Sequence, residues 1–142
     1  MAFQKDSKNL ELVKVNKIPN KGRGIRAAKS IKKGELIEAS PTCSFPSEQR
    51  KIIDNTSLFD YYFVRNAEYQ DTEKQATGYM VFGLASLCNH TDKPNAIVEW
   101  DENDTTGVWA HLIALEDIQT GEEIMISYAN INEYPTDNFV NH

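Results

Sequence analysis

Two stretches carry residue types that could do chemistry. Residues 86–95 read Ser-Leu-Cys-Asn-His-Thr-Asp-Lys-Pro-Asn, and residues 121–128 read Gly-Glu-Glu-Ile-Met-Ile-Ser-Tyr. The first presents Asn89-His90 after an apolar approach, then turns sharply at Pro94-Asn95. An Asn amide offers two donors and an acceptor, which suits a zwitterionic amino-acid moiety. The second ends an apolar run on Tyr128, a phenol that could stand between two ligands. Nearer the start, Gly22-Arg23-Gly24 would let backbone groups approach a ligand closely. Taken singly, each has an ordinary alternative. Asn-His is also a polar turn, Gly-x-Gly occurs in countless turns, and Tyr128 could be a core tyrosine bonded to backbone. The phosphate-binding pattern GxGxxG fails, because residue 27 is Ala and no long helix follows. His111 has no carboxylate or second His at ligand spacing and His142 is terminal, so neither receives a role.

Short strands must position these residues. Leu10, Leu12 and Val13–Val15 suggest a first strand, turned by Pro19-Asn20-Lys21-Gly22. Glu35 to Ala39 reads as a strand stopped by Ser40-Pro41, and Ser47 as the cap of a short helix reaching Ile53. The aromatic run Leu58 to Val64 reads as a buried strand, Arg65 to Gln75 as a loop, and Gly78 to Leu87 as an apolar approach to Asn89. Ala96–Trp100 and Val108–Leu115 flank an acidic turn at residues 101–104, and Ile124 to Tyr128 is the last strand. A period of two puts Ile124, Ile126 and Tyr128 on one face, so Tyr128 points inward. Ala129 to His142 has little periodicity and reads as a tail. Glycine turns at about ten-residue spacing argue for antiparallel β structure.

Composition narrows the function classes. The 142 residues, 40% apolar, fit one domain with a single core. With 15 basic and 21 acidic residues the net charge is −6. That balance argues against nucleic-acid binding, which needs clustered Lys and Arg, and is compatible with a basic partner. The acidic turns, including Glu122-Glu123, read first as solvated surface and second as a basic-peptide groove. Cys43 and Cys88 are too few for a disulfide framework or zinc cluster and read as small apolar residues in a reducing compartment. The N-terminus is charged where a signal peptide is apolar, and no run approaches the ~20 apolar residues of a membrane helix. The expectation is a soluble, intracellular protein without membrane association.

The order and distances of these signals resemble those of the SET-domain protein-lysine methyltransferases. A Gly-x-Gly turn, Asn-His with Pro-Asn downstream, then Gly-Glu-Glu-x-x-x-x-Tyr follow one another over about residues 10–135. The likeness is to the compact viral and bacterial SET proteins without flanking modules, whose aromatic segment Leu58–Phe63 also resembles. The resemblance implies a mainly β, β-clip-like fold of several small antiparallel sheets, one or two short helices and a knot-like C-terminal crossing. It implies one SET domain over residues 1–142 with no post-SET zinc module, and hence no metal. S-Adenosylmethionine would lie along Gly22, Arg23 and Gly24, with Asn89 and His90 at its amino-acid and adenine ends. Tyr128 would be the active-site tyrosine and Ile126 would face the lysine channel; Tyr61 and Tyr62 are candidates for the channel wall, at least one of them reading as plain core. Tyr134 would supply the aromatic cover that a cysteine-rich segment provides elsewhere. The short relatives also imply a homodimer.

Departures from the family pattern are specific. Ser86 stands where larger members usually have Arg, and Thr91-Asp92 follows the His where Ser-Cys is frequent. Ile126 occupies a position often held by Phe or Tyr and linked to how many methyls are added. Methyl transfer to an amine is a direct displacement, so alignment and desolvation carry much of the barrier. The amine must be neutral; for a lysine of pKa ~10.4 that costs about 4–5 kcal/mol at pH 7. An apolar aromatic channel beside a sulfonium lowers that pKa. The implied function is methyl transfer from S-adenosylmethionine to a lysine of a basic, histone-like or other protein, in cytoplasm or nucleus. The alternative is a non-catalytic SET-like module that binds a peptide or partner protein.

Overall fold

A computed structural model describes residues 12–72 and 75–134. Among them, nine strands form two sheets. One has four strands in the order β1-β2-β9-β6, the other five in the order β4-β5-β3-β8-β7. The expected mainly β architecture of small, largely antiparallel sheets is what the chain adopts.

The hairpin of β1 (Val13–Ile18) and β2 (Gly22–Ala27) begins the smaller sheet. Pro19 presets one turn residue, and Asn20 adopts a φ of 66°, which Asn tolerates better than most residues. The Lys21 N–H donates to the Ile18 carbonyl at 3.1 Å and closes the turn. Gly22 follows at a φ of 82°, where a side chain would be strained. β2 then pairs with β9 (Glu123–Ile126), which pairs in parallel with the two-residue β6 (Asn89–His90).

In the larger sheet, β3 (Leu36–Phe45) runs straight through Ser40-Pro41 instead of stopping there. The reason is positional. β3 pairs with β8 (Gly107–Ala114) up to Pro41 and with β5 (Gly78–Val81) from Thr42 onward. The proline therefore falls where the strand changes partner, and its carbonyl accepts from the Phe82 N–H at 3.0 Å. β7 (Ala96–Asn103) continues through most of the expected acidic turn and pairs with β8 to Asn103.

Several other expectations need correction. Residues 58–64 divide into a 3-10 turn, Ser57–Tyr61, and a short β4, Tyr62–Val64. The turn starts because the Thr56 hydroxyl accepts from the Leu58 N–H at 3.2 Å. Helix α1 does span Ser47–Ile53, but Pro46 is its N-cap and Ser47 Oγ bonds Glu48 instead of the helix backbone. The expected loop at 65–75 contains helix α2, Asn66–Thr72, anchored by buried Tyr69, whose hydroxyl donates to Asn132 Oδ1 at 2.9 Å. Residues 78–87 are β5 followed by a 3-10 turn, Leu84–Leu87.

The last strand ends at Ile126, not Tyr128. The supposed tail is structured through Tyr134: Asn130 is buried, and Glu133 binds Arg50 of α1 at 2.7 Å. Pairwise bonds of that kind leave no periodicity to read. Residues 135–142 lie outside the described residues. Cys88 is buried as expected, whereas Cys43 is exposed on β3.

The main core joins both sheets. Ile25, Ile31, Ile37, Leu112, Ile118 and Ile124 are at most 1–2% exposed. Burial of each is worth about 1.5–3 kcal/mol before the entropy of ordering is counted. Ile124 and Ile126 of β9 both enter this core, and Tyr128 packs against it, so β9 is fixed from below.

Candidate active site

The Asn89-His90 segment and the chain around Tyr128 meet in space. β6 lies beside β9 with Asn89 opposite Met125 and His90 opposite Ile126. A two-residue ladder is weak alone, and side chains reinforce it. Asn95 reaches β9 with its amide: Nδ2 donates to the Glu123 carbonyl and Oδ1 accepts from the Met125 N–H, both at 2.9 Å. That is the task of the Pro94-Asn95 turn. The Tyr128 N–H donates to His90 Nδ1 at 2.9 Å, leaving Nε2 facing Asp92 Oδ1 at 3.3 Å. The Tyr128 hydroxyl donates to the Cys88 carbonyl at 2.6 Å. Tyr128 is thus held at both ends by the segment it faces.

Asn89 is equally constrained. Its Nδ2 donates to Glu123 Oε2 at 2.7 Å and to the Arg23 carbonyl at 3.3 Å. Lys21 Nζ pairs with Glu123 Oε1 at 3.4 Å, so one carboxylate ties the β1–β2 turn to β6 and β9. Glu123 is half-buried, in contrast to the solvated surface expected of it. Gly24 is required by closeness: a Cβ there would lie 2.6 Å from Asn89 Nδ2 and 2.8 Å from Glu123 Oε2.

A second carboxylate aims the approach. Glu38 Oε2 accepts from the Leu84 N–H at 2.9 Å, and Oε1 from the Ala85 N–H and Ser40 Oγ, both at 3.0 Å. These bonds fix the 3-10 turn that delivers Cys88 and Asn89. Any Cβ on Gly83 would collide with Ser40 and Glu38. Sequence reasoning missed Glu38, because a bulge between Leu36 and Glu38 sets its direction and nothing local announces it.

Two cavities open on this crossing. The larger, about 810 Å³, is lined by Lys17, Lys21, Gly22, Arg23, Asn89 and neighbouring residues. The smaller, about 260 Å³, is mostly aromatic and aliphatic, with Tyr62, Phe63, Trp100, Ile126 and Leu115 on its wall. Both are lined by Asp60, Tyr61, Ser86, Cys88, Tyr128 and Tyr134. Of the expected site residues, Gly22, Arg23 and Asn89 therefore line the larger cavity, Tyr62 and Ile126 the smaller, and Tyr61, Tyr128 and Tyr134 both. Gly24 and His90 line neither; they support Asn89 and Tyr128 from the side.

Tyr134 stacks between Tyr128, at 5.3 Å between ring centroids, and Phe59, at 4.5 Å. The Tyr62 hydroxyl donates to Asp54 Oδ1 at 2.7 Å and accepts from Arg50 Nε at 3.2 Å, which fixes its ring in the wall. Burial, followed by the neighbouring Tyr134 and Cys88, pushes the Tyr128 phenol well above its ordinary range. It can orient groups by hydrogen bonding but not serve as an anionic base near neutrality. Burial likewise raises Tyr134, with Asp60 the next cause, and raises the Cys88 thiol, with Glu38 next, leaving that sulfur protonated and unreactive.

Known proteins resemble this chain in sequence and in fold. Residues 22–129 match the SET domain family model. Protein-lysine N-trimethyltransferase SMYD5 of Homo sapiens is 49% identical over 96 residues, covering 66% of this chain and 21% of that protein. The histone-lysine N-methyltransferase, H3 lysine-36 specific, of Schizosaccharomyces pombe is 29% identical over 122 residues, 80% of this chain and 14% of its own length. A crystal structure of a candidate histone methyltransferase from Plasmodium falciparum is 30% identical, with a TM-score of 0.63, covering 83% of this chain and 93% of that one. The chain spans about a fifth of the length of the SMYD5 relatives it matches. Among the described residues no helix is long and apolar enough to cross a membrane. With the family pattern extending over both the Gly-x-Gly start of β2 and the Asn-His/Tyr crossing, the chain belongs to the SET-domain family.

Proposed function

We propose that this chain is a protein-lysine N-methyltransferase using S-adenosylmethionine, with the cofactor in the larger cavity and the lysine side chain in the smaller. The observation that carries the reading is that the two cavities share Tyr128 as a wall. Direct displacement needs donor and acceptor approaching one point from opposite sides.

The larger cavity suits the cofactor in size and chemistry. Its volume falls within the range of small-molecule sites, and Lys17, Lys21 and Arg23 supply positive charge for a carboxylate. Gly22 leaves open space on this wall, and Arg23 and Asn89 line it as well. β6 is the edge strand of its sheet, so one side of the Asn89-His90 backbone is available to a ligand's base. Tyr134 would cover the cofactor. When bound, the cofactor supplies an electrophilic methyl group on a sulfonium.

The chain's own residues do the rest. Tyr61, Tyr62 and Ile126 shape a narrow apolar channel that excludes water and favours the neutral amine. The amine releases its proton to solvent before attack. Tyr128, fixed through its hydroxyl to Cys88 and through its N–H to His90, limits the lateral freedom of amine and methyl carbon. A lysine of a basic protein suits a chain of net charge −6. One SET unit over residues 10–135 accounts for this chemistry.

Calorimetric titration with S-adenosylmethionine, followed by transfer of labelled methyl into cell lysate, tests the reading. Micromolar binding and label on protein lysine are expected; no binding at millimolar cofactor would leave only a peptide-binding module. Asn89→Ala is expected to weaken cofactor binding about tenfold, the effect of losing one well-placed bond to a charged group.

A further inference from the structure

Three acidic side chains around the site are already engaged. Glu123 holds Lys21 and Asn89, Glu133 holds Arg50, and Asp54 accepts the Tyr62 hydroxyl. Asp60 differs: no hydrogen bond or ion pair reaches its carboxylate among the described residues. It is nevertheless on the wall of both cavities. Among the described residues it is the only Asp or Glu lining either one, and the only residue of full charge lining the smaller.

Its position is not accidental to a floppy loop. Asp60 belongs to the Ser57–Tyr61 turn, initiated by Thr56. Phe59 before it stacks on Tyr134 and meets Tyr62 edge-on at 6.2 Å, and Tyr62 is itself buried and bonded on two sides. The carboxylate is exposed to solvent yet close enough to help raise the phenols of Tyr134 and Tyr128. Basic groups, by contrast, line only the larger cavity, at Lys17, Lys21 and Arg23. The sign of charge therefore reverses toward the shared wall.

We propose that Asp60 is a specificity-determining residue that draws a cationic amine to the wall the two cavities share. The proposal rests on the methyl-transfer reading and adds what the site selects: an ammonium-tipped side chain over a neutral one of equal shape. Asp60 acts on arrival. At this exposed position its charge favours the protonated amine, and the proton leaves to solvent as the amine moves against the partly buried Tyr128.

The test uses nuclear magnetic resonance titration of the full chain without cofactor, so it does not depend on methyl transfer. The probes are N-acetyl-lysine methylamide and the methylamide of N-acetyl-2-aminoheptanoic acid, whose side chain carries a methyl group where lysine carries its ammonium. The wild-type chain is expected to bind the lysine probe about fivefold more tightly, the upper range for a partly exposed charge pair. Asp60→Asn should equalise the two probes, Asp60→Glu should retain the preference, and added salt should diminish it. Equal binding by the wild type, or a preference intact in Asp60→Asn, would overturn the assignment. A wild type that prefers lysine but transfers no labelled methyl would sink the methyl-transfer reading and leave Asp60 standing.

Discussion

The crossing of β6 and β9 and the β7–β8 hairpin are built on opposite plans. The hairpin is an eight-residue backbone ladder, from Ala96↔Ala114 to Asn103↔Gly107, with its inner face alternating into the core. The crossing has two ladder pairs and depends on side chains: Asn95, His90, Asn89, Glu123 and the Tyr128 hydroxyl. Backbone ladders are indifferent to most substitutions, since the bonded groups belong to every residue. Side-chain braces are specific. The lesson is that this fold concentrates its dependence on residue identity where the two cavities meet.

The largest expected effect falls on chemistry. Tyr128→Phe removes the bond to the Cys88 carbonyl but keeps the ring, so methyl transfer should drop about 100-fold. Urea unfolding should shift by only about 1 kcal/mol. Retention of full turnover in single-turnover assays would mean that the crossing is scaffold and not site.

Next comes Asn95→Ala, which orphans the Glu123 carbonyl and the Met125 N–H together. A loss of about 2–3 kcal/mol is expected by urea denaturation, with weaker cofactor binding in parallel. Glu38→Gln should cost about 1–2 kcal/mol, because an amide cannot accept two backbone N–H bonds and the Ser40 hydroxyl as the carboxylate does. A neutral result there would show that the Leu84–Leu87 turn is held by its own backbone.

Alkaline stability sharpens the contrast further. Tyr62, Tyr128 and Tyr134 all have phenols raised by burial, so the folded state holds their protons more tightly than the unfolded chain. Their contribution is complete below the ordinary phenol value of ~10 and declines as pH climbs above it. Urea midpoints should fall above pH ~10, and less steeply in Tyr128→Phe. At the small end, Glu99→Ala on the exposed face of β7 should change stability by no more than about 0.5 kcal/mol.

Legibility in the sequence divides along the same line. The apolar alternation of β9 was readable, and so was the inward direction of Tyr128, although the strand stops two residues earlier. The Gly-x-Gly motif, which the structure places at the start of β2 and not in a turn, and the Asn-His pair were readable as a family pattern. The helix at Asn66–Thr72 was not, because one buried residue, Tyr69, and contacts to distant Asn132 hold it where local composition is polar. Nor was the continuation of β3 through Pro41, which depends on a change of strand partner. Glu123 looked like surface because its partners, Lys21 and Asn89, lie 102 and 34 residues away.

The sequence by itself determined the element types where short-range physics rules: turns at Asn20 and Gly22, apolar strands, a chain of acidic balance, and the residue order of the SET family. Tertiary structure alone decided which polar groups become braces and which stay available. The reason is that hydrogen bonds and Coulomb forces act over a few ångströms in space, whereas neighbours along the chain say nothing of who arrives from elsewhere. Asp60 and Glu123 carry the same chemical group, and only the fold pairs one and leaves the other facing the site.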